Sequence, residues 1–355
     1  MTQETQDRAL ATVRQIDGLR DIQGADKIEL AIVDGWQVVV KKGEFNVGDS
    51  VVYLEIDSWV PETVAPFLTK NQAKEYKGVL GNRLKTIKLR GERSQGLILP
   101  ISTVGEFAEV GDDVTADLGI LKWEKEIPAH LAGQVKGNFP SELPKTKQER
   151  VQNLSRNLIS RVQGKTFEMT EKLHGTSATF YLDNEGVFHV CSRNLDLKET
   201  ADNTYWQIAR KYNIEEQLRN CGLFGMAIQG EIVGPGINGN QYGLTEPELF
   251  VFNLLQTAAS YDTMYCPSDI RMDIVAGLGL KHIPVITIDT FDNDFVDSAE
   301  VAQEMIQGML EVADELRSAL NDSKAEGFVM KCIDDPEFSF KVVSNVWLEN
   351  GGEDQ

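Results

Sequence analysis

Residues 171–177, Glu171-Lys172-Leu173-His174-Gly175-Thr176-Ser177, set one lysine beside a glycine turn and two hydroxyls. They follow Thr166-Phe167-Glu168-Met169-Thr170, whose apolar and polar alternation predicts a strand. A lysine leaving a strand into a Gly-Thr-Ser turn can meet a phosphate, because the turn's backbone N–H groups and hydroxyls are free to point at it. The same amine is an attacking atom if it is held unprotonated. A surface lysine in a β-turn is the simpler reading of so short a pattern, so the sharper one depends on what the rest of the chain brings to Lys172.

Working outward, 355 residues suggest two domains with ample material for two cores. With 41% hydrophobic and 25% charged residues, the composition is that of an ordinary globular protein. No apolar run reaches the roughly 18 residues of a membrane span, and the polar start Met1-Thr2-Gln3-Glu4 carries no signal-peptide core. Cys191, Cys221, Cys266 and Cys332 form no C-x-x-C pair, and His130, His174, His189 and His282 are scattered. A structural zinc site is therefore not expected, and reduced thiols in the cytoplasm are. The net charge of −20 argues against nucleic-acid binding by general basicity, but leaves room for a local basic groove.

The first 120 residues read as a β-rich module. Runs rich in β-branched residues at 9–13, 28–33, 36–40 and 50–54 are separated by Asp34-Gly35 and Asn46-Val47-Gly48-Asp49 turns. Two more strands are expected at 83–89 and 95–99, with a short helix within 61–77. Five or six short strands in about 90 residues suit a small closed barrel, with the OB-fold leading. Arg83, Lys85, Lys88, Arg90 and Arg93 form its basic patch against a single Glu92. In a continuous strand, Arg83, Lys85 and Ile87 share one face. A nucleic-acid contact and a lysine-guarded edge strand explain this patch equally.

Residues 121–144 read as a linker interrupted by Pro128, Pro140 and Pro144, with 139–145 extended and packed on the second domain. That domain, 145–355, mixes strands and helices without a β–α rhythm. A short helix is expected within 149–161, a hairpin across Asp183-Asn184-Glu185-Gly186, a helix over 204–218, and strands at 226–233, 249–255, 327–331 and 338–343. A long helix is expected over 298–320, with Asp297 and Glu300 at capping-box spacing. Val301, Met305, Met309, Val312, Leu316 and Leu320 are its expected core stripe, and the acidic end 349–355 is expected to fray.

Five later elements carry polar or aromatic groups where apolar strands are expected: Arg193 in Ser192-Arg193-Asn194, Glu231 in 229–234, Phe252 in 249–255, Glu326 before 327–331, and Lys341 in 338–344. A charge within a buried strand is costly unless it is paired or holds a ligand. Taken singly, each fits a core or an internal ion pair.

In order, they resemble the covalent nucleotidyltransferases, that is, polynucleotide ligases and mRNA capping enzymes. Lys172-Leu173-His174-Gly175 matches that superfamily's K-x-D/H-G nucleophile motif. His174 in the third place is similar to the nick-sealing RNA ligases, where DNA ligases usually have Asp. Ser192-Arg193-Asn194 resembles the next motif, Glu231 the third-motif glutamate, Phe252 the adenine-stacking aromatic, and Glu326-Gly327-Phe328-Val329-Met330-Lys331 the E-G-x-V-x-K motif. The departure is Lys341-Val342-Val343, where many relatives have K-x-K. An OB module ahead of the catalytic domain, with little beyond the last motif, resembles one bacterial and phage branch of RNA ligases.

The resemblance implies an α+β chain: an OB-fold barrel, then a nucleotidyltransferase domain of antiparallel sheets flanked by helices. It implies an ATP-dependent RNA ligase in which Lys172 attacks the α-phosphorus, helped by Lys331, Lys341 and Mg²⁺ or Mn²⁺ on Glu326. Glu171 and Phe252 would hold adenine, Glu231 the ribose, and Arg193 the phosphate, with His174, Gly175 and Ser177 completing the nucleotide site. The implied partner is a nicked or broken RNA-containing duplex, bound by a monomer with no membrane attachment. A DNA ligase, a capping-type guanylyltransferase and a non-catalytic nucleic-acid-binding protein are the competing expectations.

Overall fold

In the computed structural model the described residues are 9–69, 72–105, 107–124, 133–258 and 262–350. Of the end 349–355 expected to fray, 351–355 lie outside them, as does the polar start 1–7, whereas Glu349 closes a short helix, Asn345–Glu349. The chain divides into two compact units, Met1–Glu126 and Ile127–Gln355.

In the first unit, β-branched runs with turn residues between them give short strands: β1 (Ala11–Gln15), β2 (Gly18–Asp21), β3 (Ile28–Val33), β4 (Trp36–Lys41), β5 (Ser50–Leu54), β6 (Ser58–Pro61), β7 (Lys74–Tyr76), β8 (Val79–Arg83), β9 (Thr86–Leu89), β10 (Glu92–Gln95), β11 (Leu97–Pro100) and β12 (Leu121–Lys122). They pair in the orders β1-β5-β11, β2-β3-β4, β12-β6-β8-β7 and β9-β10. Trp36, Val38 and Val40 are buried while Gln37, Val39 and Lys41 are more open, the period-two pattern of a half-buried strand. Two apolar clusters fill the unit, one around Val13, Val52 and Leu54 and one around Trp36, Tyr53 and Val38.

Three expectations change here. The strand over 83–89 is broken, because Leu84 turns into the core and its N–H donates to Ser58 O at 2.8 Å. Arg83 and Lys85 therefore do not share the face of one strand. The strand over 95–99 is likewise two strands, split at Gly96, so that Glu92–Gln95 pairs with Thr86–Leu89 as a hairpin. Within 61–77 the helix is a single 3₁₀ turn, Pro66–Leu68, followed by β7.

In the second unit the strands are β13 (Val135–Asn138), β14 (Glu149–Arg150), β15 (Thr166–Glu171), β16 (Thr176–Leu182), β17 (Phe188–Cys191), β18 (Leu195–Leu197), β19 (Met226–Val233), β20 (Glu248–Thr257), β21 (Thr263–Tyr265), β22 (Lys281–His282), β23 (Val285–Thr290), β24 (Gly327–Cys332) and β25 (Ser339–Val343). An eight-stranded sheet runs β13-β18-β17-β16-β19-β20-β21 with β22 beside β20, and a five-stranded sheet runs β14-β25-β24-β15-β23. Pairing is antiparallel except for β14 with β25 and β20 with β22. Helices Thr204–Lys211, Ile214–Asn220 and Ser268–Gly277 cover the larger sheet through Trp206, Ile208, Leu218 and Val275. Helices Leu158–Val162 and Ala299–Glu315 cover the smaller through Leu158, Ile306 and Leu310, against Phe167 and Phe340. Each such side chain contributes roughly 1.5–3 kcal/mol on burial.

Several boundaries move for identifiable reasons. The segment read as a linker supplies a strand to each unit, β12 on β6 and β13 on β18, while 125–132 lie outside the described residues. Phe139 and Leu143 do pack against Tyr181, Ala227 and Leu255. The segment 149–161 opens as strand and 3₁₀ turn before Leu158–Val162. The helix over 204–218 is broken by Asn213, at φ 47°. Ser298, not Asp297, caps Ala299–Glu315, its Oγ accepting the Val301 N–H. That helix buries Ala302, Ile306, Leu310 and Ala313, a face rotated by one residue, about 100°, from the expected stripe. Val301, Met305, Met309 and Val312 instead line an apolar groove of about 460 Å³ beside Met169 and Met330.

Candidate active site

β15 belongs to the smaller sheet and β16 to the larger, so residues 172–175 carry the chain from one to the other. Three backbone groups of the turn are held by hydrogen bonds. The Lys172 N–H donates to Gly327 O at 2.9 Å, and the His174 N–H to Tyr242 Oη at 2.7 Å. Asn238 Nδ2 donates to Gly175 O at 2.7 Å. A Cβ on Gly175 would stand 2.3 Å from Ile232 O, so only glycine lets the turn lie this close to β19. Gly327 is required twice over: its φ is +146°, and a Cβ would meet Val342 O at 2.1 Å.

A cavity of about 320 Å³ opens over this turn between the two sheets. It is lined by Glu171, Lys172, His174, Gly175, Ser177, Arg193, Glu231, Phe252, Glu326, Lys331 and Lys341. Each of these was expected from the sequence to meet the nucleotide or its metal. The pocket joins β15, β24 and β25 of one sheet to β16, β19 and β20 of the other.

Lys172 Nζ donates to Glu326 Oε1 at 2.6 Å. His174 Nδ1 lies 3.6 Å from the other oxygen, Oε2, and the imidazole stands edge-on to Trp347 at 4.9 Å between ring centroids. Burial works against ionising Glu326, but the Lys172 ammonium and His174 outweigh it and hold the carboxyl at about 2. Glu231 shows the opposite balance. Burial, only partly offset by Lys172, pushes its carboxyl up to about 7. Two carboxylates in one pocket with affinities for protons driven apart is a common mark of a working site.

Glu171 is buried at the pocket wall. Its Oε2 accepts the Ala319 N–H at 3.0 Å, and its Oε1 has no hydrogen-bond partner. Burial raises its carboxyl above the usual range. An unpartnered buried oxygen on a residue that lines the cavity suits a base edge. Phe252 is half-buried beside Leu173, Tyr242 and Ile283, its ring at the cavity wall. Lys331 Nζ donates to Phe252 O at 2.7 Å and to Asn253 Oδ1, crossing from the smaller sheet to the larger. Burial drives its ammonium down to about 7. Ser177 Oγ is 2.6 Å from Thr146 Oγ1, and Thr176 Oγ1 is 2.8 Å from Tyr205 Oη. Arg193 is exposed at the 192–194 bend, and Lys341 is half-buried on β25.

Among the described residues no group of three or more His, Cys, Asp or Glu side chains forms a ready-made cation cage. Glu326 nevertheless fits a hard cation: its Oε2 is buried and makes no hydrogen bond. Mg²⁺ and similar ions are commonly held by one or two carboxylates together with substrate phosphates.

The sequence reading missed Thr146, Gln148, Asn238 and Ile283 on the lining, and Tyr242 beneath His174. Asn238 sits just past Gly234-Pro235-Gly236, a turn cluster that marks a loop able to fold back on the site. The others carry no signal apart from their place in the fold.

The cations expected at nucleic acid all lie in the first unit. Arg83 is engaged within the unit: its guanidinium donates to Asp57 at 2.6 Å and stacks 3.7 Å over Trp123. Lys85, Lys88 and Arg90 are exposed and Arg93 is half-buried. Lys88 and Arg93 stand directly opposite in the β9–β10 hairpin, a like-charged pair on one face.

Residues 10–101 match a protein family described as an OB-fold domain, and residues 165–343 match one described as RNA ligase. No curated protein matches the chain. Among solved structures the chain is similar to the RNA ligase of Naegleria gruberi with PPi, at 38% identity and a TM-score of 0.85, covering 98% of this chain and 100% of that one. A variant of that ligase with AMP and Mn matches at 38% identity and a TM-score of 0.84, over 97% of this chain and 99% of that one. A variant with ATP and Mn matches at 38% and 0.84, over 96% and 98%.

Proposed function

This chain belongs to the RNA ligase family, ATP-dependent enzymes that form phosphodiester bonds, with an OB-fold domain ahead of the ligase domain, and from that premise we propose that it seals 3′-hydroxyl and 5′-phosphate RNA ends or nicks through a lysyl-AMP on Lys172. The observation that carries this reading is the one pocket that gathers Lys172, Glu231, Phe252, Glu326, Lys331 and Lys341.

Lys172 attacks the α-phosphorus of ATP and pyrophosphate leaves. Attack needs the unprotonated amine, and the Glu326 carboxylate at 2.6 Å is placed to hold and orient Lys172 before the nucleotide enters. A divalent cation, Mg²⁺ or Mn²⁺, bound by Glu326 and the phosphates would neutralise developing charge and release Lys172 from its counter-ion. Lys331 and Lys341 hold phosphate oxygens, Phe252 stacks on adenine, and the free Oε1 of Glu171 meets the base edge. Glu231 takes the ribose, and the exposed Arg193 guides the 5′-phosphate. His174, Gly175 and Ser177 shape the turn beneath the nucleotide. The adenylate then passes to the 5′-phosphate, and the 3′-hydroxyl displaces AMP.

Lys85, Lys88, Arg90 and Arg93 supply the first unit's charge for the duplex backbone. Among the described residues no helix is long and apolar enough to cross a membrane, and a cytoplasmic monomer suffices for the reaction. The test is sealing of nicked duplexes in which each strand segment is varied between RNA and DNA. Joining that requires RNA at the 3′-hydroxyl side supports the reading. Equal joining of all-DNA nicks would make the chain a general nick ligase, and label taken only from GTP would make it a capping-type enzyme.

A further inference from the structure

We propose that Arg271 is a positioning residue for Lys331: by holding the Glu168 carboxylate, it keeps the lysine's ammonium free of a carboxylate partner and available to a phosphate. The proposal rests on the phosphate role given to Lys331 above.

Glu168 on β15 is the direct cross-strand neighbour of Lys331 on β24. Opposed side chains in such a pair have Cβ atoms roughly 5 Å apart, so glutamate and lysine here are placed to form an ion pair. They do not form one. The fully buried Glu168 carboxylate is held by Arg271 Nη2, at 2.7 Å to Oε1 and in contact with Oε2, while Ser268 Oγ donates to Oε2 at 2.7 Å. Arg271, itself 2% exposed, is fixed in turn: its Nε donates to His282 Nε2 at 3.0 Å. His282 Nδ1 lies 2.6 Å from Ile283 O, which assigns the proton to Nδ1 and leaves Nε2 as the acceptor. Burial, with Arg271 adding to it, disfavours the charged form of His282, in keeping with that neutral tautomer.

Lys331 is left with two neutral acceptors, Phe252 O and Asn253 Oδ1, and among the described residues it makes no ion pair. A carboxylate alongside would neutralise it. A buried carboxylate that loses its partner is strongly driven to find another cation, and for Glu168 that cation is Lys331.

The test is single-turnover adenylation with α-labelled ATP, normalised to folded protein. Removing the guanidinium in Arg271→Met lets Glu168 turn to Lys331, and adenylation falls by about tenfold to a hundredfold, as displacement of a positioned group does. Glu168→Gln removes the competitor and stays within about threefold, since no reacting atom is touched. The double variant returns to the Glu168→Gln rate, and Arg271→Lys, which still pairs with Glu168, retains most activity. A double variant as slow as Arg271→Met, or a Glu168→Gln variant equally slow, would overturn the proposal and make the pair a structural brace. Asn253→Asp needs no change in the pair: it puts a carboxylate on Lys331 directly, and an unchanged adenylation rate there would also overturn it. Lys331→Met separates the two levels. Full activity in that variant would overturn the phosphate role and this proposal together, whereas loss there without rescue in the double variant overturns this proposal alone.

Discussion

Lys172 and Glu326, 154 residues apart in the chain, meet in an ion pair of 2.6 Å at the floor of one pocket. The contact joins the proposed nucleophile to the proposed cation ligand, so neither can be altered without disturbing the other. Glu326→Gln should lower adenylation by about a hundredfold to a thousandfold, the usual cost of removing an electrostatic group from a reacting centre. Chelating divalent cations should stop labelling of the parent protein. Measuring adenylation against Mn²⁺ concentration checks both. A variant with unchanged rate and cation dependence would remove Glu326 from the cation site.

The pH dependence of stability follows from Glu231. Its carboxyl in the folded protein sits near 7, above the ordinary 4.5, chiefly because it is buried. A raised value means the fold favours the protonated form. Stability from this group is therefore fully present below about pH 4.5 and is lost as pH rises through 7. Glu326, held at about 2, has the opposite sign: its stability is present above 4.5 and lost as pH falls toward 2. Glu231→Gln should raise the nucleotide-free Tm at pH 8 relative to the parent and flatten its fall between pH 5 and 8. Parallel Tm curves for the two proteins would show that Glu231 does not titrate in this range.

The glycine turn is a packing constraint. In Gly175→Ala the new methyl would stand 2.3 Å from Ile232 O and 2.6 Å from Val233 Cγ1, neither of which is the end of a flexible chain. A loss of about 1–3 kcal/mol is expected from such overpacking, with adenylation falling as the turn moves. Urea midpoints measure the first and labelling the second. A fully stable, fully active variant would mean that the turn has room to shift.

The basic patch separates into two parts. Arg83→Met should destabilise the first unit, because it removes the contacts to Asp57 and Trp123. Lys85→Ala with Lys88→Ala should leave its stability within about 0.5 kcal/mol, as exposed positions usually do. The same pair of changes should slow nick sealing more than adenylation and flatten its salt dependence. Adenylation and sealing that fall together would make Lys85 and Lys88 structural.

Much of the site was legible because its chemistry is written at strand ends. A charge inside an apolar strand, such as Glu231 in 226–233 or Lys341 in 339–343, violates the local pattern and so stands out. Strands 28–33, 50–54 and 226–233 fall where alternation and flanking turns put them. What failed depended on tertiary contacts. Leu84 leaves its strand because the core takes it, and the buried face of Ala299–Glu315 is set by the sheet beneath, so Ala302 and Ala313 pack where larger neighbours were expected. Arg271 was unreadable for a similar reason. Nothing in Ser268-Asp269-Ile270-Arg271 announces a buried guanidinium, and only the fold brings it to Glu168.

The most direct test is to incubate the protein with α-labelled ATP and Mn²⁺, digest it, and locate the label by mass spectrometry. AMP on Lys172, absent in Lys172→Ala and discharged by adding a nicked RNA duplex, is the expected result. Label on any other residue, or full sealing activity in Lys172→Ala, would contradict it.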